Sequence, residues 1–164
     1  MEIDLKDITI EETRAQIACM LNELWHSRLP KIHWSNVVRN THYICFVFKY
    51  KEAVIGVGIW SSPVARKINR ETHLELRRLA LTDVCPKNTA TFVLSKMRKS
   101  IKNKFPNIKT LISYQDTVVH LGTIYKADNW KNMVISAGGE WSSATRKRKN
   151  VQSSVKKIRW EYEL

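Results

Sequence analysis

A strand, a helix and a second strand follow one another in the middle of the chain, and this order most limits its possible folds. Residues 73–81 alternate between the two faces expected of a strand. A helical stripe of apolar residues then occupies residues 89–104, and Pro106 ends this helix before the apolar run 108–113. Because such a crossover joins neighbouring parallel strands, we expect two parallel strands with the helix packed across them.

The N-terminal region predicts a strand followed by an amphipathic helix. Residues 2–9 alternate like a strand, and Thr9 and Glu12 have the spacing of a capping box at a helix start. The apolar stripe of this helix recurs at i, i+3, i+4 and i+7 and consists of Ile17, Met20, Leu21 and Leu24. We expect this stripe to face the core and the helix to end before Pro30.

Further strands complete the predicted sheet. The apolar runs 43–48 and 54–60 predict a hairpin, and residues 132–141 and 156–164 predict a final strand pair. The resulting element order is β-α-β-β-β-α-β-α-β-β. It predicts a single α/β or α+β domain over residues 1–164, with a mixed sheet of six to seven strands flanked by helices.

The charge balance indicates an anionic partner. Lys and Arg number 28 against 15 Asp and Glu, which gives a net charge of +13. The segments 87–104 and 146–157 contain basic residues and no acidic ones, whereas an ordinary solvated surface mixes both signs. Such an excess favours contact with nucleic acid phosphates. The candidate phosphate contacts are Arg66, Lys67, Arg146, Lys147, Arg148 and Lys149.

Several classes of protein do not fit the sequence. Cys19, Cys45 and Cys85 are far apart and odd in number, so they match neither a disulfide framework nor a zinc-binding motif. No apolar run reaches the roughly 18 residues of a membrane span. The acidic N-terminus also lacks the form of a signal peptide. We therefore expect a cytoplasmic protein without a membrane partner or a metal motif.

The densest group of reactive and aromatic side chains lies directly after the strand 108–113. Its members are Ser113, Tyr114, Asp116, His120, Tyr125, Asp128 and Trp130, grouped around Gly122. No hydrophobic period explains this mixture, and functional sites are commonly built where a rigid strand ends. The alternative is a polar turn followed by an ordinary helix.

Two other features predict anion binding. On a strictly alternating strand, Arg78 shares a face with Leu74 and Leu76, where a guanidinium needs a partner or an anionic ligand. The loop before the crossover helix offers free amides, the helix dipole and a lysine. Its candidate residues are Lys87, Asn88, Thr89, Ala90 and Thr91, of which Asn88 or Thr89 can cap the helix.

Several motifs resemble a known family. They are H-S-R-L-P (26–30), E-L-R-R-L-A (75–80), N-T-A-T (88–91), S-Y-Q-D (113–116) and H-L-G-T-I-Y-K-A-D-N-W (120–130). They look like the Mom family of phage-encoded, GNAT-like proteins, and the element order resembles the GNAT acyltransferase fold. The resemblance implies modification of the adenine N6 amine in DNA to a methylcarbamoyl-type group, which protects phage DNA from restriction.

The resemblance also implies a donor, a partner and residue roles. The donor would be an acyl-CoA such as acetyl-CoA, bound at the loop 87–91, although the usual glycine-rich form of that loop is absent. The partner would be double-stranded DNA with its adenine flipped out and stacked on an aromatic ring such as Trp130, Tyr114 or Trp60. The implied catalytic residues are Asp116 as base, Tyr125 as acid, Ser113, Arg78 and, as a lesser candidate, His26.

Two other functions fit the same residues less well. One is a GNAT-like N-acyltransferase for a protein or small-molecule amine, which would need no DNA. The other is a basic DNA-binding module without catalysis, in which Asp116 and Tyr125 would be dispensable. Neither explains the grouping of Ser113, Asp116, Gly122 and Tyr125 as well as a DNA-modifying enzyme does.

Overall fold

A computed structural model describes residues 2–25, 29–117, 122–136 and 157–164. Within these ranges seven strands form one mixed sheet. In chain order they are β1 (Ile8–Thr13), β2 (Tyr43–Tyr50), β3 (Ala53–Ser61), β4 (His73–Leu81), β5 (Thr110–Asp116), β6 (Lys131–Ser136) and β7 (Lys157–Glu163). Their spatial order is β1-β2-β3-β4-β5-β7-β6, and only β4 and β5 are parallel neighbours. The mixed α+β class and the parallel pair across the crossover helix are as predicted.

Four α-helices cover the two faces of the described sheet. They are α1 (Ala15–Trp25), α2 (Trp34–Val38), α3 (Thr89–Lys104) and α4 (Thr123–Ala127). Helices α1 and α2 pack on one face with Val57, Ile59 and Ala80. The crossover helix α3 and the short helix α4 pack on the other face, where the larger core lies. No described helix has both the length and the apolar character needed to cross a membrane.

The crossover helix follows its sequence pattern closely. The predicted range 89–104 matches α3, whose largest buried side chains are Leu94, Met97 and Ile101. Trp60 of β3 is fully buried against this helix and donates its indole N–H to the Met97 sulfur at 3.2 Å. Trp60 is therefore a core residue, which excludes it as a stacking surface for a nucleobase.

The N-terminal prediction is wrong in register. Residues Leu5–Asp7 form a 3-10 turn, and the strand begins only at Ile8. Thr9 and Glu12, the predicted capping box, lie inside this strand and pair with β2. Backbone pairing with the long apolar strand β2 outweighs the local capping preference, because it satisfies every second amide and carbonyl along the segment.

Three of the four residues of the apolar stripe predicted for α1 face solvent, and only Leu21 packs partly buried against the core as predicted. Ile17, Met20 and Leu24 are 42%, 56% and 70% exposed. The helix buries its small residues instead, and these are Ala15, Ala18, Cys19 and Asn22. Small side chains allow the helix axis to approach the sheet closely, so this stripe gains the contact although its residues are less apolar.

Gly56 of β3 sits where the sheet has no room for a side chain. A Cβ there would lie 2.6 Å from Phe48 Cδ2, 2.7 Å from Leu81 Cδ2 and 2.9 Å from the Ala80 carbonyl oxygen. At Gly58 the closest atom to such a Cβ would be the Met97 sulfur, at 2.6 Å. A methionine side chain can move aside, whereas a backbone carbonyl in a sheet cannot.

We therefore expect Gly56→Ala to lower the free energy of unfolding by about 1–3 kcal/mol through overpacking. Gly58→Ala, the matched control in the same strand, should cost clearly less. Urea unfolding with an unchanged m value measures both losses. Equal losses for the two variants would contradict the role assigned to the Ala80 carbonyl.

Candidate active site

The candidate site lies where the two parallel strands, β4 and β5, stop pairing and separate. Strands β4 and β5 pair only from His73 opposite Thr110 to Glu75 opposite Ile112. Beyond that point β4 continues to Leu81 and β5 to Asp116 without pairing to each other. The sheet therefore opens at the carboxyl ends of its two parallel strands, where open α/β sheets bind their ligands.

A β-bulge in β4 lies at the start of the opening. Leu76 pairs with Trp60 of β3. The next pair joins Arg78 to Ile59, so that Arg77 is the extra residue of the bulge. Bulges redirect side chains and are common beside active sites. The prediction that Arg78 shares the face of the strand's leucines is therefore wrong, because the bulge turns it to the face covered by α1.

Backbone carbonyls hold the Arg78 guanidinium. Its Nη1 donates to the Arg77 carbonyl at 2.6 Å, and its Nη2 donates to the Pro30 carbonyl at 3.0 Å. The side chain is buried, and burial lowers the pKa of Arg78 to about 10, with a smaller contribution from Arg77. The group therefore remains a cation at neutral pH.

Glu75 is a buried carboxylate that the sequence analysis considered only as a partner for Arg78. Its Oε2 accepts the Val64 N–H at 2.9 Å, and its Oε1 lies 3.9 Å from Arg77 Nε. Burial raises the pKa of Glu75, although the Val64 N–H and the two arginines oppose this rise. The sequence feature that could have identified Glu75 as a functional residue is its position between two leucines at the start of β4.

Tyr114 lies on the same face as Glu75 and reaches solvent. Strand alternation places Tyr114 beside Ile112, the residue that pairs with Glu75. It is 37% exposed, and burial of the remainder raises the pKa of its hydroxyl, with a smaller contribution from Glu75. An exposed ring beside a buried carboxylate gives this face both a stacking surface and a proton acceptor.

Ser113 and Tyr125 meet on the opposite face of the opening. The Ser113 Oγ and the Tyr125 hydroxyl are 2.7 Å apart, and both residues are buried. The Tyr125 ring stacks on Trp160 at 5.6 Å and meets the edge of Trp130 at 5.5 Å. Burial raises the pKa of Tyr125 although the Ser113 hydrogen bond opposes it, so the hydroxyl keeps its proton and can act as an acid.

Glycine at position 122 lets α4 start close to the sheet. Gly122 has a left-handed φ of 70°, and a Cβ there would lie 2.5 Å from Gln115 Oε1 and 3.0 Å from Trp160 Cζ2. The same Gln115 oxygen accepts the Trp160 indole N–H at 2.8 Å. The glycine in the densest sequence motif thus fixes how closely Tyr125 approaches β5.

A buried ion pair joins α4 to the crossover helix. Asp128 accepts from Arg98 of α3, and its Oδ2 also accepts the Trp130 indole N–H at 2.8 Å. The Arg98 guanidinium lies 4.1 Å from the centre of the Tyr162 ring. Sequence analysis named Asp128 without a role and missed Arg98, because the two are distant in the chain. Together they tie the tyrosine-bearing helix to α3.

The structure separates other residues predicted to act together. Asp116 lies two residues after Tyr114 in β5 and therefore shares its face. This face is opposite to the one that carries Ser113 and Tyr125. Trp130 is 4% exposed and belongs to the core, so the predicted stacking role of this ring is contradicted by its burial. Among the described aromatic candidates, Tyr114 is the exposed one.

The loop before α3 forms its turn without glycine. Asn88 adopts a left-handed φ of 71° and makes no side-chain cap. Asn88 occupies the predicted N-cap position, but neither residue caps the helix through its side chain, because the Thr89 hydroxyl donates to the Pro86 carbonyl at 2.7 Å. Asparagine tolerates this conformation, which lets it stand where the glycine-rich form has glycine. The first-turn amides of Ala90 and Thr91 and the exposed Lys87 retain the features of an anion site.

The remaining predicted site residues lie in two kinds of region. Arg66 and Lys67 are exposed in the loop between β3 and β4, whose Val64 amide contacts Glu75. His26, His120 and the basic run 146–149 lie outside the described residues.

Among residues 2–25, 29–117, 122–136 and 157–164, no group of three or more His, Cys, Asp or Glu side chains could hold a metal ion.

The cysteines are poor nucleophiles. Burial raises the pKa of Cys19, and it raises the pKa of Cys45 to about 12. Burial also raises the pKa of Cys85, whose sulfur donates to the Ile55 carbonyl at 3.3 Å. Because the thiolate is the reactive form, these thiols serve as small core residues.

Solved structures with a similar fold include GNAT acetyltransferases. The IAA acetyltransferase from Bacillus cereus ATCC 14579 is 15% identical, with a TM-score of 0.63 over 96% of this chain and 99% of its own. A GNAT family acetyltransferase from Elizabethkingia anophelis with acetyl-CoA bound is 16% identical, with a TM-score of 0.61 over 96% and 99%. The ribosomal-protein-S18-alanine N-acetyltransferase from Escherichia coli is 10% identical, with a TM-score of 0.65 over 95% and 93%. The chain has the GNAT fold.

A comparison with protein-family models narrows this fold class to one family. The family model described as the Mom protein family matches residues 9–162. The chain therefore belongs to the Mom protein family, as its motifs predicted. The match extends beyond the motifs at 26–130 that carried the sequence resemblance, and reaches into β1 and β7. No curated protein sequence matches the chain.

The Arg98–Asp128 pair gives a test of how α4 is held. Asp128→Asn should lower the free energy of unfolding by about 3 kcal/mol, because it leaves the largely buried Arg98 cation without its counter-charge. The exposed pair of Lys31 and Glu23 is the control, and Glu23→Gln should cost less than about 1 kcal/mol. Urea unfolding measures both, and equal losses would contradict a structural role for the buried pair.

Proposed function

We propose that this chain is an acyl-CoA-dependent transferase that acylates the N6 amine of adenine in DNA, so that the amine nitrogen bonds to the acyl carbon as the thioester bond breaks. Acetyl transfer gives an N6-acetyl group, and a product of the methylcarbamoyl type requires a donor whose transferred group already contains the second nitrogen. The observation that carries the proposal is the opening between β4 and β5, with a protonated Tyr125 on one face and the Glu75 carboxylate on the other. Membership of the Mom protein family supports adenine as the acceptor. Protection of phage DNA from restriction would follow from that modification.

The donor proposed is acetyl-CoA or a related acyl-CoA. A related structure from Elizabethkingia anophelis has acetyl-CoA bound. The loop residues fit this group, because the amides of Ala90 and Thr91 and the Lys87 ammonium suit a pyrophosphate. Asn88 supplies the turn without glycine. When bound, the donor supplies an activated acyl carbon and a thiolate leaving group.

Transfer to an amine requires one proton to leave the acceptor and another to reach the departing thiolate. Tyr125 holds its proton firmly because of its burial, and Ser113 orients the hydroxyl, so this pair suits the acid. Glu75 on the other face suits the base, with Oε1 available because the Val64 amide uses Oε2. Asp116, the base expected from the sequence, lies on this same face and is the second candidate.

The charged and aromatic side chains around Glu75 support DNA as the acceptor. Arg66 and Lys67 are exposed on the loop whose Val64 contacts Glu75, where they suit phosphate groups. The exposed ring of Tyr114 suits stacking by an adenine that has left the duplex. A flipped adenine stacked there would present its amine toward the Glu75 side of the opening.

The first test is the nucleoside composition of DNA. Cells that express this chain should contain deoxyadenosine with an added mass, and their DNA should resist restriction enzymes whose sites include adenine. Tyr125→Phe should reduce the modified fraction by about 10²–10⁴-fold, the usual contribution of a general acid. Phenylalanine retains the packing against Trp160 and Trp130, so circular dichroism should show an intact fold.

The controls separate the competing functions. Purified wild-type protein is given acetyl-CoA with either DNA or a peptide amine. Turnover with the peptide and none with DNA would indicate an acyltransferase for proteins or small amines. Binding of DNA with an unchanged adenine pool, equal in wild type and Tyr125→Phe, would indicate a binding module without catalysis.

The second test is the pH dependence of the reaction. Because the folded pKa of Glu75 is raised, its base form accumulates only above the usual pH range of a glutamate. The acid limb of kcat/KM should therefore lie above that range and should disappear in Glu75→Gln. The raised pKa also makes the free energy of unfolding depend on pH. The contribution of Glu75 to this free energy is greatest below the pKa that it has in the unfolded chain, and it is lost as pH rises through the pKa that it has in the folded protein.

Asp116→Asn is the matched variant for this profile. If Glu75 is the base, Asp116→Asn keeps the acid limb, even where it lowers the rate. An acid limb that survives in Glu75→Gln and vanishes in Asp116→Asn would assign the base to Asp116 instead.

A further inference from the structure

Arg78 is a buried cation without a carboxylate partner. Only 8% of the residue is exposed, and none of the ion pairs among the described residues includes it. Its Nε has no hydrogen-bond partner in the described part of the chain. The carboxylate on the same face, Glu75, has its nearest guanidinium contact with Arg77. Burying a charge without a counter-charge is costly, so the site requires another reason for this arginine.

The two hydrogen bonds of Arg78 show what it holds together. One reaches the carbonyl of Arg77, in the bulge of β4. The other reaches the carbonyl of Pro30, 48 residues away in the connection between α1 and α2. A planar guanidinium can donate in several fixed directions and so reach acceptors on separate elements, which the ammonium of a lysine cannot do in a fixed fork. Arg78 thus links the edge of the opening to residues 30–34, which we name the rim.

The rim is anchored to the protein at Pro30 and Ile32 and exposed at Lys31, His33 and Trp34. Ile32 is 8% exposed and packs in the core beneath α1. His33 caps α2, since its Nδ1 accepts the Ser35 N–H at 3.2 Å. Trp34 is 39% exposed, with its ring 5.5 Å from that of His33. Lys31 is also exposed and forms a solvent-exposed ion pair with Glu23 at 2.5 Å, so the rim presents a cation in a surface pair and two aromatic rings to solvent.

We propose that Arg78 is a positioning residue that fixes the rim beside the acceptor face, and that the rim binds the nucleic acid strand next to the reacting base. The chemistry of the rim fits that ligand, because a lysine suits phosphate and an exposed indole suits the face of an unstacked base. This inference rests on the proposed function for the identity of the ligand. It replaces the sequence-based role of Arg78 as a direct contact to an anionic group.

The first measurement is hydrogen exchange of the rim amides in Arg78→Lys. Lysine keeps the positive charge but cannot donate in a fixed fork to both carbonyls. The amides of residues 31–34 should exchange about tenfold faster, as expected for the loss of one charged hydrogen bond. Amides of α3 should exchange as in wild type, which separates local release from general destabilisation. Arg39→Lys, on the exposed end of α2, is the matched control and should leave the rim unchanged.

The second measurement is affinity for an adenine-containing oligonucleotide in three variants. Arg78→Lys and Trp34→Ala should each raise the Kd about fivefold to tenfold, on the scale of one lost base-stacking contact. The double variant should bind about as weakly as Trp34→Ala alone, because Arg78 acts through the rim. The KM for the acyl donor should stay the same in Arg78→Lys.

Each contrary result has a definite meaning. Unchanged rim exchange in Arg78→Lys would overturn the positioning role. Independent, additive losses of DNA affinity, or a raised donor KM, would instead return Arg78 to direct contact with a ligand. Wild-type protein that binds DNA without modifying adenine would overturn the proposed function and leave the rim inference standing. Wild-type protein that modifies adenine, with affinity unaffected by Trp34→Ala, would overturn the rim inference alone.

Discussion

The parting of β4 and β5 is the constraint on which the site depends. Parallel strands joined by a crossover helix normally pair along their length, yet these two pair over three positions only. The bulge at Arg77 lies just beyond the last pair between β4 and β5. From Arg78 onward, each side chain of β4 lies on the face opposite to the one that regular alternation would give it. As a result, Arg78 lies on the face covered by α1, where Glu75 also lies. The bulge in the β3–β4 pairing and the end of the β4–β5 pairing thus lie at the same place in β4, and bulges are common beside active sites.

The opening brings two chemically different faces within one site. Ser113 and Tyr125 lie among aromatic rings, where burial keeps a phenol protonated. Glu75 lies on the other face beside exposed Tyr114 and the basic loop. A transfer reaction needs an acid at the leaving group and a base at the acceptor, and these must not neutralise each other. Placing them on opposite faces of one sheet satisfies both needs.

The sequence predicts those features that local periodicity and composition determine. The crossover, the hairpin, α3 and the Ser113–Tyr125 segment follow from apolar spacing and residue density. The orientation of Arg78 does not follow from strict alternation, because that pattern ignores the bulge. The mark of the bulge in the sequence is the three-residue step from Leu76 to Leu79 in an otherwise two-residue leucine spacing. The buried face of α1 also escapes prediction, since close approach to the sheet favours Ala18 and Cys19 over the more apolar Leu24.

Neither neighbouring arginine forms a short ion pair with Glu75, and this affects the pKa of its carboxyl group. A short bidentate bond from an arginine would hold a carboxylate ionised and depress its pKa, which suits a structural ion pair but not a base. Here Arg77 donates to the Ser61 hydroxyl at 3.0 Å and stays 3.9 Å from Glu75. Arg78 uses backbone carbonyls instead. Because both cations are engaged by neutral acceptors, burial has the larger effect and raises the pKa of Glu75, which is the direction that suits the base role proposed for it.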